Sequence, residues 1–498
     1  MSSRTLFIGW DGADWSVLDR LAGEDLTPNL TTLRRKGSSG ILHSSFPAHS
    51  IAAWTSFLSG LSASEHGIVD FRRCSAGKYI PDVPHGSDSV PRPSLLEAIS
   101  DSGARVLSIN IPMTFPPLPV NGAVVSGVFL PPDATFTHPP ELQQELADLG
   151  GFPINGLEWA DVNDLADLFE EARVMVRQRA LIAERLLERE HWDVALVGFM
   201  APDRLQHAAM HLLDPEYPSA DRNRHSQDLV RALHAVYGEL DASLGRLMDK
   251  ASPDTFILAS DHGFRSVWLT LVPNRLLEEL GTLAYREGRS RLRLMTHPLR
   301  RRLGRTWLAS RARRTFGVEA TIDWSKTVAY NPSAPCQGIR LNIHGREPHG
   351  IVPPSKAELL VEELIQQLQG WCLPSGDPAF SIVARAEDVM GKPATEPGVP
   401  DIYFELGEGV AVSGEGPKTI QSSGRRTGEH RAEGIIVAIG ETDPRPEAIW
   451  EVPHRILRSV GIDGWPRRQP VDSPRRDVLT PQEESAVEEH LRGLGYVE

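Results

Sequence analysis

The sequence predicts an α/β protein with a mostly parallel central sheet flanked by helices and an inserted cap region. Three observations predict this. Apolar runs of strand length, among them Thr5–Trp10, Arg105–Asn110, Trp192–Phe199 and Thr255–Ser260, alternate with long segments of helical period. Polar side chains of the kind that carry chemistry follow several of those runs at once, and open α/β sheets gather ligands at the carboxyl ends of their strands. The 498 residues are 40% hydrophobic and 24% charged, which suits a large core with insertions.

Thr5–Trp10 reads as a buried strand with Asp11-Gly12-Ala13-Asp14 at its carboxyl end. Asp11 is thereby placed for chemistry; its plainer role would be to cap the next helix. Thr27-Pro28-Asn29-Leu30 opens an amphipathic helix that runs to Gly37. A short strand near Gly40–Leu42 precedes Phe46-Pro47-Ala48-His49-Ser50, after which Ile51, Trp54, Phe57 and Leu58 recur at helical spacing up to Ser59-Gly60. Ser50 takes the N-cap position in this reading. There the unpaired backbone N–H groups and the helix dipole favour an alkoxide or an incoming phosphate. An isolated serine before a helix is ordinarily a cap and nothing more. Glu65-His66-Gly67-Ile68 reads as the close of the same helix.

Leu95–Ser102 reads as a helix and Arg105–Asn110 as a strand, and Asn110 and Thr114 flank a Pro-rich loop as turn stabilisers. Asp164–Glu190 and Gln227–Asp249 are long helical patterns. Between them, Trp192–Phe199 is a strand that ends near Pro202-Asp203-Arg204-Leu205-Gln206-His207. Thr255–Ser260 is a strand ending in Asp261-His262-Gly263-Phe264. Beyond about residue 280 the composition shifts, with eleven arginines, no lysine and one acid between Arg286 and Arg314. We read that run as a helical insertion, solvated or forming a positive lip for an anionic substrate. Asp323–Gly350 reads as β structure with turns, in which Arg340, Asn342 and Arg346 are expected at the surface. Ser355–Gln369 reads as an amphipathic helix, Gly407–Gly428 as a Gly- and Ser-rich loop, Gly434–Ile439 as a strand and Thr480–Tyr496 as a final helix. The organisation expected is a catalytic core over 1–280, a cap over 281–400, and a return to the core over 401–498.

A net charge of −14 argues against general nucleic-acid binding, and no run approaches the length of a membrane span. Leu6–Gly9 is too short for a signal-peptide core, and three widely spaced cysteines give no disulfide framework. A cytoplasmic location is the expectation; oligomeric state is not legible.

Asp203 and His207 stand at i, i+4, on one face of a helical turn. Carboxylate with imidazole suits zinc, with manganese the alternative. One Asp–His pair is ordinarily a surface hydrogen bond. Asp11, Asp203 with His207, and Asp261 with His262 all sit at strand ends, with His430 beside the last strand, and that recurrence points to a metal site.

In Gly9-Trp10-Asp11-Gly12, Pro28-Asn29-Leu30, Pro47 to Gly60, His66-Gly67-Ile68, Asp203 to His207, Ser260 to Phe264 and Gly428-Glu429-His430-Arg431, the chain resembles the alkaline phosphatase superfamily. The branch it resembles is the type I phosphodiesterase/nucleotide pyrophosphatase family. The resemblance implies an alkaline phosphatase-like fold and two divalent metal ions, zinc first. It assigns Asp203, His207 and His430 to one ion and Asp11, Asp261 and His262 to the other. Ser50 would be the nucleophile, bridging or bound to the second ion, with a phosphoseryl intermediate and help from the Ile51 backbone N–H. The substrate implied is a small phosphorylated molecule with a phosphodiester or nucleotide pyrophosphate bond. One feature departs from that family: an Asn expected after His66-Gly67-Ile68 is missing, and Arg72 and Arg73 follow instead. Those arginines are candidate substrate contacts and favour phosphomonoesters, since guanidinium forks phosphate oxygens. A phosphomonoesterase, or a phosphotransferase resembling cofactor-independent phosphoglycerate mutase, is therefore the alternative enzyme. A non-catalytic binding protein of the same fold is the other class, and seven competent ligand and nucleophile positions speak against it. A sulfatase that uses a formylglycine is not expected, because Ser50 lacks the following Pro and Arg. His66 is read as structural and His49 is left open.

Overall fold

Thr5–Trp10 is a strand with all six residues buried, in the interior of an eight-stranded sheet. It pairs in parallel with Val194–Phe199 on one side and Thr255–Ala259 on the other. Strands covered on both faces must be apolar throughout, which is why these three runs carry no polar alternation. Val106–Ile109 and Gly122–Val125 extend the parallel part. The rims are antiparallel: Glu433–Ile439 and then Ser38–His43 at one edge, Thr137–His138 at the other. The computed structural model describes residues 3–75, 77–128, 130–131, 133–152, 164–218, 227–286, 318–391, 399–414, 416–440, 445–465 and 481–493. The sheet belongs to the first of two units, made of Met1–Ile68, His85–Ser266 and Arg425–Gly495. The second comprises Val69–Pro84, Val267–Gly424 and Tyr496–Glu498.

Two 25-residue helices, Leu165–Arg189 and Gln227–Ala251, cover the first unit's core. Asp164 caps the former by accepting the Ala166 N–H. Leu168, Ala172, Val176 and Ala183 of one helix and Leu233, Val236, Leu240 and Leu244 of the other join Leu6, Ile8, Val197 and Leu258 in one buried cluster. Each large aliphatic side chain so buried contributes about 1.5–3 kcal/mol.

The helix that carries Ser50 runs Ser50–Ser59, and all ten residues are buried. It ends at Gly60, and Ala63–His66 is a separate short helix with its own Ser62/Glu65 capping box. The continuous helix expected through His66 is corrected accordingly; the local cap at Ser62 restarts the chain direction. Asn110 and Thr114 do stabilise a turn, through Asn110 Nδ2 to the Gly198 carbonyl (2.8 Å) and Thr114 Oγ1 to the Ile111 carbonyl (2.6 Å).

In the second unit, Ala329–Tyr330, Gly338–Leu341, Ile402–Leu406 and Phe380–Arg385 form an antiparallel sheet. Helix Pro354–Gln369 adds Leu364 and Leu368 to a core with Tyr330, Leu341 and Phe404. Two expectations fail here. The segment read as a loop over Gly407–Gly428 holds strands Gly409–Val412 and Ile420–Ser422, which pair with Val267–Leu271. Burial of Val410, Ala411 and Val412 outweighs the turn-forming composition. Nor are Arg340, Asn342 and Arg346 at the surface. Asn342 is fully buried and donates to the Trp324 and Thr327 carbonyls, and Arg346 forks Asp401 and Glu347. The arginine-rich run beyond Arg286 lies outside the described residues. Among the described residues no helix is long and apolar enough to cross a membrane.

Candidate active site

Three adjacent strand ends build the site. Asp11 directly follows the strand Thr5–Trp10; its N–H donates to the Phe199 carbonyl (2.9 Å) and its carbonyl accepts the Asp203 N–H (3.0 Å). Gly12 has φ +68°, and a Cβ there would lie 2.8 Å from the Phe264 ring and 2.9 Å from Asp203 Cα. Only glycine lets the chain turn so closely over its neighbours. The Gly12 N–H donates to Asp261 Oδ1 (3.0 Å), fixing the third strand end. Asp203 and His207 share a face of helix Ala201–Leu213. His430 lies on Gly428–Arg431, which pairs antiparallel with Gly263–Ser266 so that His430 faces Phe264.

These side chains converge as donor sets. Asp203, His207 and His430 place one ligand atom each within 4.8 Å of one another, as do Asp11, Asp203 and His262. Asp203 thus stands in both sets. Asp261 Oδ2 lies 3.3 Å from His262 Nε2, is buried and accepts no hydrogen bond. The imidazole tautomers follow from the backbone. His207 Nδ1 meets the Gly428 carbonyl, His262 Nδ1 the Gly263 carbonyl and His430 Nδ1 the Ala48 carbonyl, each at 3.2 Å. A carbonyl only accepts, so Nδ1 carries a proton, and each ring in its neutral form presents a lone pair on Nε2. The Nε2 atoms of His207 and His430 face each other at 3.0 Å. Two neutral rings at that distance would repel, and a proton or a metal cation held between them and Asp203 relieves this. Aspartate oxygens with imidazole Nε2, oriented through Nδ1–carbonyl bonds, are the donor chemistry of a divalent-metal site.

Ser50 is not the cap of its helix. His49 is: its Nδ1 accepts the Ala52 N–H (3.3 Å), and Ser50 is the first helical residue. A histidine at the cap does what serine was expected to do, and the Ser50 hydroxyl is released toward the site. Its Oγ lies 3.4 Å from Asp11 Oδ1 and 3.3 Å from His262 Nε2. Ile51 follows in the first turn, where amides have no intrahelical acceptor. Thr55 and Ser56 are spent elsewhere, on the Ile51 carbonyl (2.7 Å) and on His66 Nε2 (3.0 Å). His66 is structural, as read, and its Nδ1 also accepts the Ile68 N–H (3.0 Å). Arg72 and Arg73 belong to the second unit, in a short ladder with Val83–Pro84.

Sequence reasoning read Trp54 only as an apolar helix position and gave it no role at the site. Its indole Nε1 donates to Asp11 Oδ2 (2.8 Å), which leaves Oδ1 to face Ser50 and His262. The available signal was its position four residues after Ser50, on the same helix face.

Burial raises the Asp11 carboxyl well above the usual range, and the charges of Asp261 and Asp203 add to it. Burial pushes Asp261 up to about 8, against the Gly12 N–H that favours its charge. Burial works against the charge of Asp203 as well, but His207 and Arg204 outweigh it and hold that carboxyl well below the usual range. His262 falls to about 4, through burial and then the neighbouring His430. The sign for stability follows. A carboxyl raised in the fold stabilises below its unfolded value and loses that contribution as pH rises through the folded one. A depressed histidine acts oppositely, and only below about 6.5, its ordinary value. Between pH 6.5 and 8 the raised carboxyls therefore act alone. Metal-free protein should melt at progressively lower temperature across that interval, and a divalent cation should reverse the trend, because it binds the ionised carboxylates. Thermal unfolding at stepped pH, with and without chelator, checks this.

Comparisons with known proteins bear on the fold and the family. The structure is similar to the phosphonoacetate hydrolase of Sinorhizobium meliloti 1021 in complex with phosphonoformate, with TM-score 0.60 and 14% identity over 92% of this chain and 96% of that one. The same enzyme in complex with phosphonoacetate gives TM-score 0.59 with the same identity and coverage. Murine ectonucleotide pyrophosphatase / phosphodiesterase 5 follows at TM-score 0.50 and 13% identity, over 93% of this chain and 96% of that one. These likenesses establish the fold. A search of curated proteins finds no match. The sequence model described as type I phosphodiesterase / nucleotide pyrophosphatase matches residues 5–433, a span that begins at the central strand and runs through His430. With that match over most of its length, the chain belongs to the type I phosphodiesterase / nucleotide pyrophosphatase family and is a phosphoric ester hydrolase.

Proposed function

We propose that this metal-dependent hydrolase cleaves phosphodiester or nucleotide pyrophosphate bonds through a phosphoseryl intermediate on Ser50. The observation that carries the reading is the convergence of three imidazole Nε2 lone pairs and three aspartates beside one serine hydroxyl at a helix start. Asp203, His207 and His430 would hold one divalent ion and Asp11, Asp261 and His262 the other, with Asp203 reaching both sets; zinc suits the donors best and manganese second. Such ions supply Lewis acidity, lowering the hydroxyl pKa and neutralising phosphate oxygens.

The remaining roles belong to the chain itself. The fully buried Ser50–Ser59 helix fixes Ser50 Oγ, so that attack on phosphorus starts from one geometry. The helix dipole and the Ile51 N–H favour negative charge on the attacking and non-bridging oxygens. Trp54 holds Asp11 Oδ2 so that Oδ1 faces the nucleophile. Serine oxygen forms the new P–O bond as the bond to the leaving alcohol or phosphate breaks, and the serine proton leaves with that group. Water then adds to phosphorus as the seryl P–O bond breaks, and one water proton goes to the Ser50 oxygen.

Arg72 and Arg73, standing where the resemblance calls for Asn, favour a second reading as a phosphomonoesterase. Hydrolysis of bis-p-nitrophenyl phosphate against p-nitrophenyl phosphate by zinc- or manganese-loaded protein separates the two. The diester is expected to react faster. Faster monoester turnover would favour the alternative, and no turnover of either, nor of phosphonoacetate, would defeat the enzymatic reading.

A further inference from the structure

Asp14, buried, and Arg431, half-buried, form a fork among the ligand-bearing segments that metal coordination does not use. Asp14 is fully buried and caps helix Trp15–Gly23 by accepting the Ser16 N–H on Oδ1 (2.8 Å). A cap needs one carboxylate oxygen. Here the other, Oδ2, accepts the Phe264 N–H (3.0 Å). Arg431 then closes on both, Nε to Oδ2 (2.7 Å) and Nη2 to Oδ1 (2.8 Å). The approach is close: a Cβ on Gly263 would lie 2.5 Å from Asp14 Oδ2.

Each segment held by this one carboxylate carries a donor a few residues away. Asp11 precedes Asp14 by three positions, His262 precedes Phe264 by two, and His430 is next to Arg431. His430 belongs to one donor set, Asp11 and His262 to the other. Both Asp14 oxygens are engaged by N–H donors, so Asp14 is not itself a ligand. A bidentate guanidinium–carboxylate pair adds geometric restraint as well as attraction. We infer that Asp14 and Arg431 are positioning residues: their fork sets the separation of the two donor sets, so that losing it weakens metal binding at both together. The inference rests on the proposed metal-binding role of these sets.

The test is metal affinity, measured by competition with a chromophoric chelator, on full-length wild type, Asp14→Asn, Arg431→Lys, Arg431→Gln and Asp14→Asn/Arg431→Gln. Asparagine caps helices as well as aspartate does, so Asp14→Asn keeps the cap and loses the charged fork together with the acceptor of the Phe264 N–H. It should weaken binding of both zinc ions about 10–100-fold, as is typical when a group orienting the ligands is lost. Arg431→Lys, a cation without a fork, should fall between. The double variant should be no worse than the worse single, since one interaction is lost either way. Unfolding of the metal-free variants, run alongside, separates a merely structural pair, which would lower melting temperature with zinc affinity unchanged. Affinities within twofold of wild type, or losses that multiply in the double variant, would overturn the inference. If Asp14→Asn does not fold, the two Arg431 variants at the partly exposed end of the pair carry the same comparison. A wild type that binds no zinc or manganese would overturn the parent reading and this one with it; a wild type that binds, with variants unchanged, overturns this one alone.

Discussion

Ser50→Ala is expected to lower turnover of the best ester substrate by about ten-thousand-fold or more, the scale seen when a nucleophile is removed. Metal content should stay near the wild-type level, because each donor set keeps its Asp and His ligands without Ser50. Stability should also hold, since His49 supplies the cap and Ser50 Oγ makes only long contacts of 3.3 and 3.4 Å. Steady-state kinetics with metal analysis by mass spectrometry reads both. Activity above a tenth of wild type would remove Ser50 from the nucleophile's role.

Asp203→Asn is the second large effect. Asp203 is the residue common to both donor sets, it is fully buried, and its Oδ2 lies 3.2 Å from the buried Arg204 Nη1. Removing one charged partner from a buried cluster costs about 3–5 kcal/mol. A cost of that size falling on metal binding is about 10²- to several-thousand-fold in affinity. Asp203 incurs the loss at both sets and removes the carboxylate charge beside Arg204. His207→Ala touches one set only. Asp203→Asn should therefore lose both ions at metal concentrations where His207→Ala retains one. Stoichiometry after gel filtration in sub-micromolar zinc distinguishes them, and equal stoichiometry in the two variants would contradict the sharing of Asp203.

Much of this was legible in the sequence because strand ends are legible. An apolar run that stops at Asp11, or at Asp261-His262, states both the strand and its chemistry, and the sheet order then places those ends side by side. Asp203 and His207 were legible from helical spacing. What escaped depended on contacts between distant segments. Nothing near Ser50 says that His49 will take the cap, because histidine is a rare cap and the choice depends on how its ring is packed. The sharing of Asp203 with His262, the hold of Trp54 on Asp11 and the reach of Arg431 to Asp14 span 43 to 417 residues of chain and follow only from the fold. In the second unit Asn342 and Arg346 read as surface residues because polar side chains usually are. Their burial is tolerated because backbone carbonyls, Asp401 and Glu347 satisfy them.

The central claim is that a Ser50 ester of phosphorus lies on the reaction path. The stereochemical course at phosphorus tests it without requiring the ester to accumulate. Two successive in-line displacements, by Ser50 and then by water, predict net retention when a chiral phosphorothioate diester is hydrolysed in isotopically labelled water. Net inversion would mean a single direct attack by water and would contradict the account.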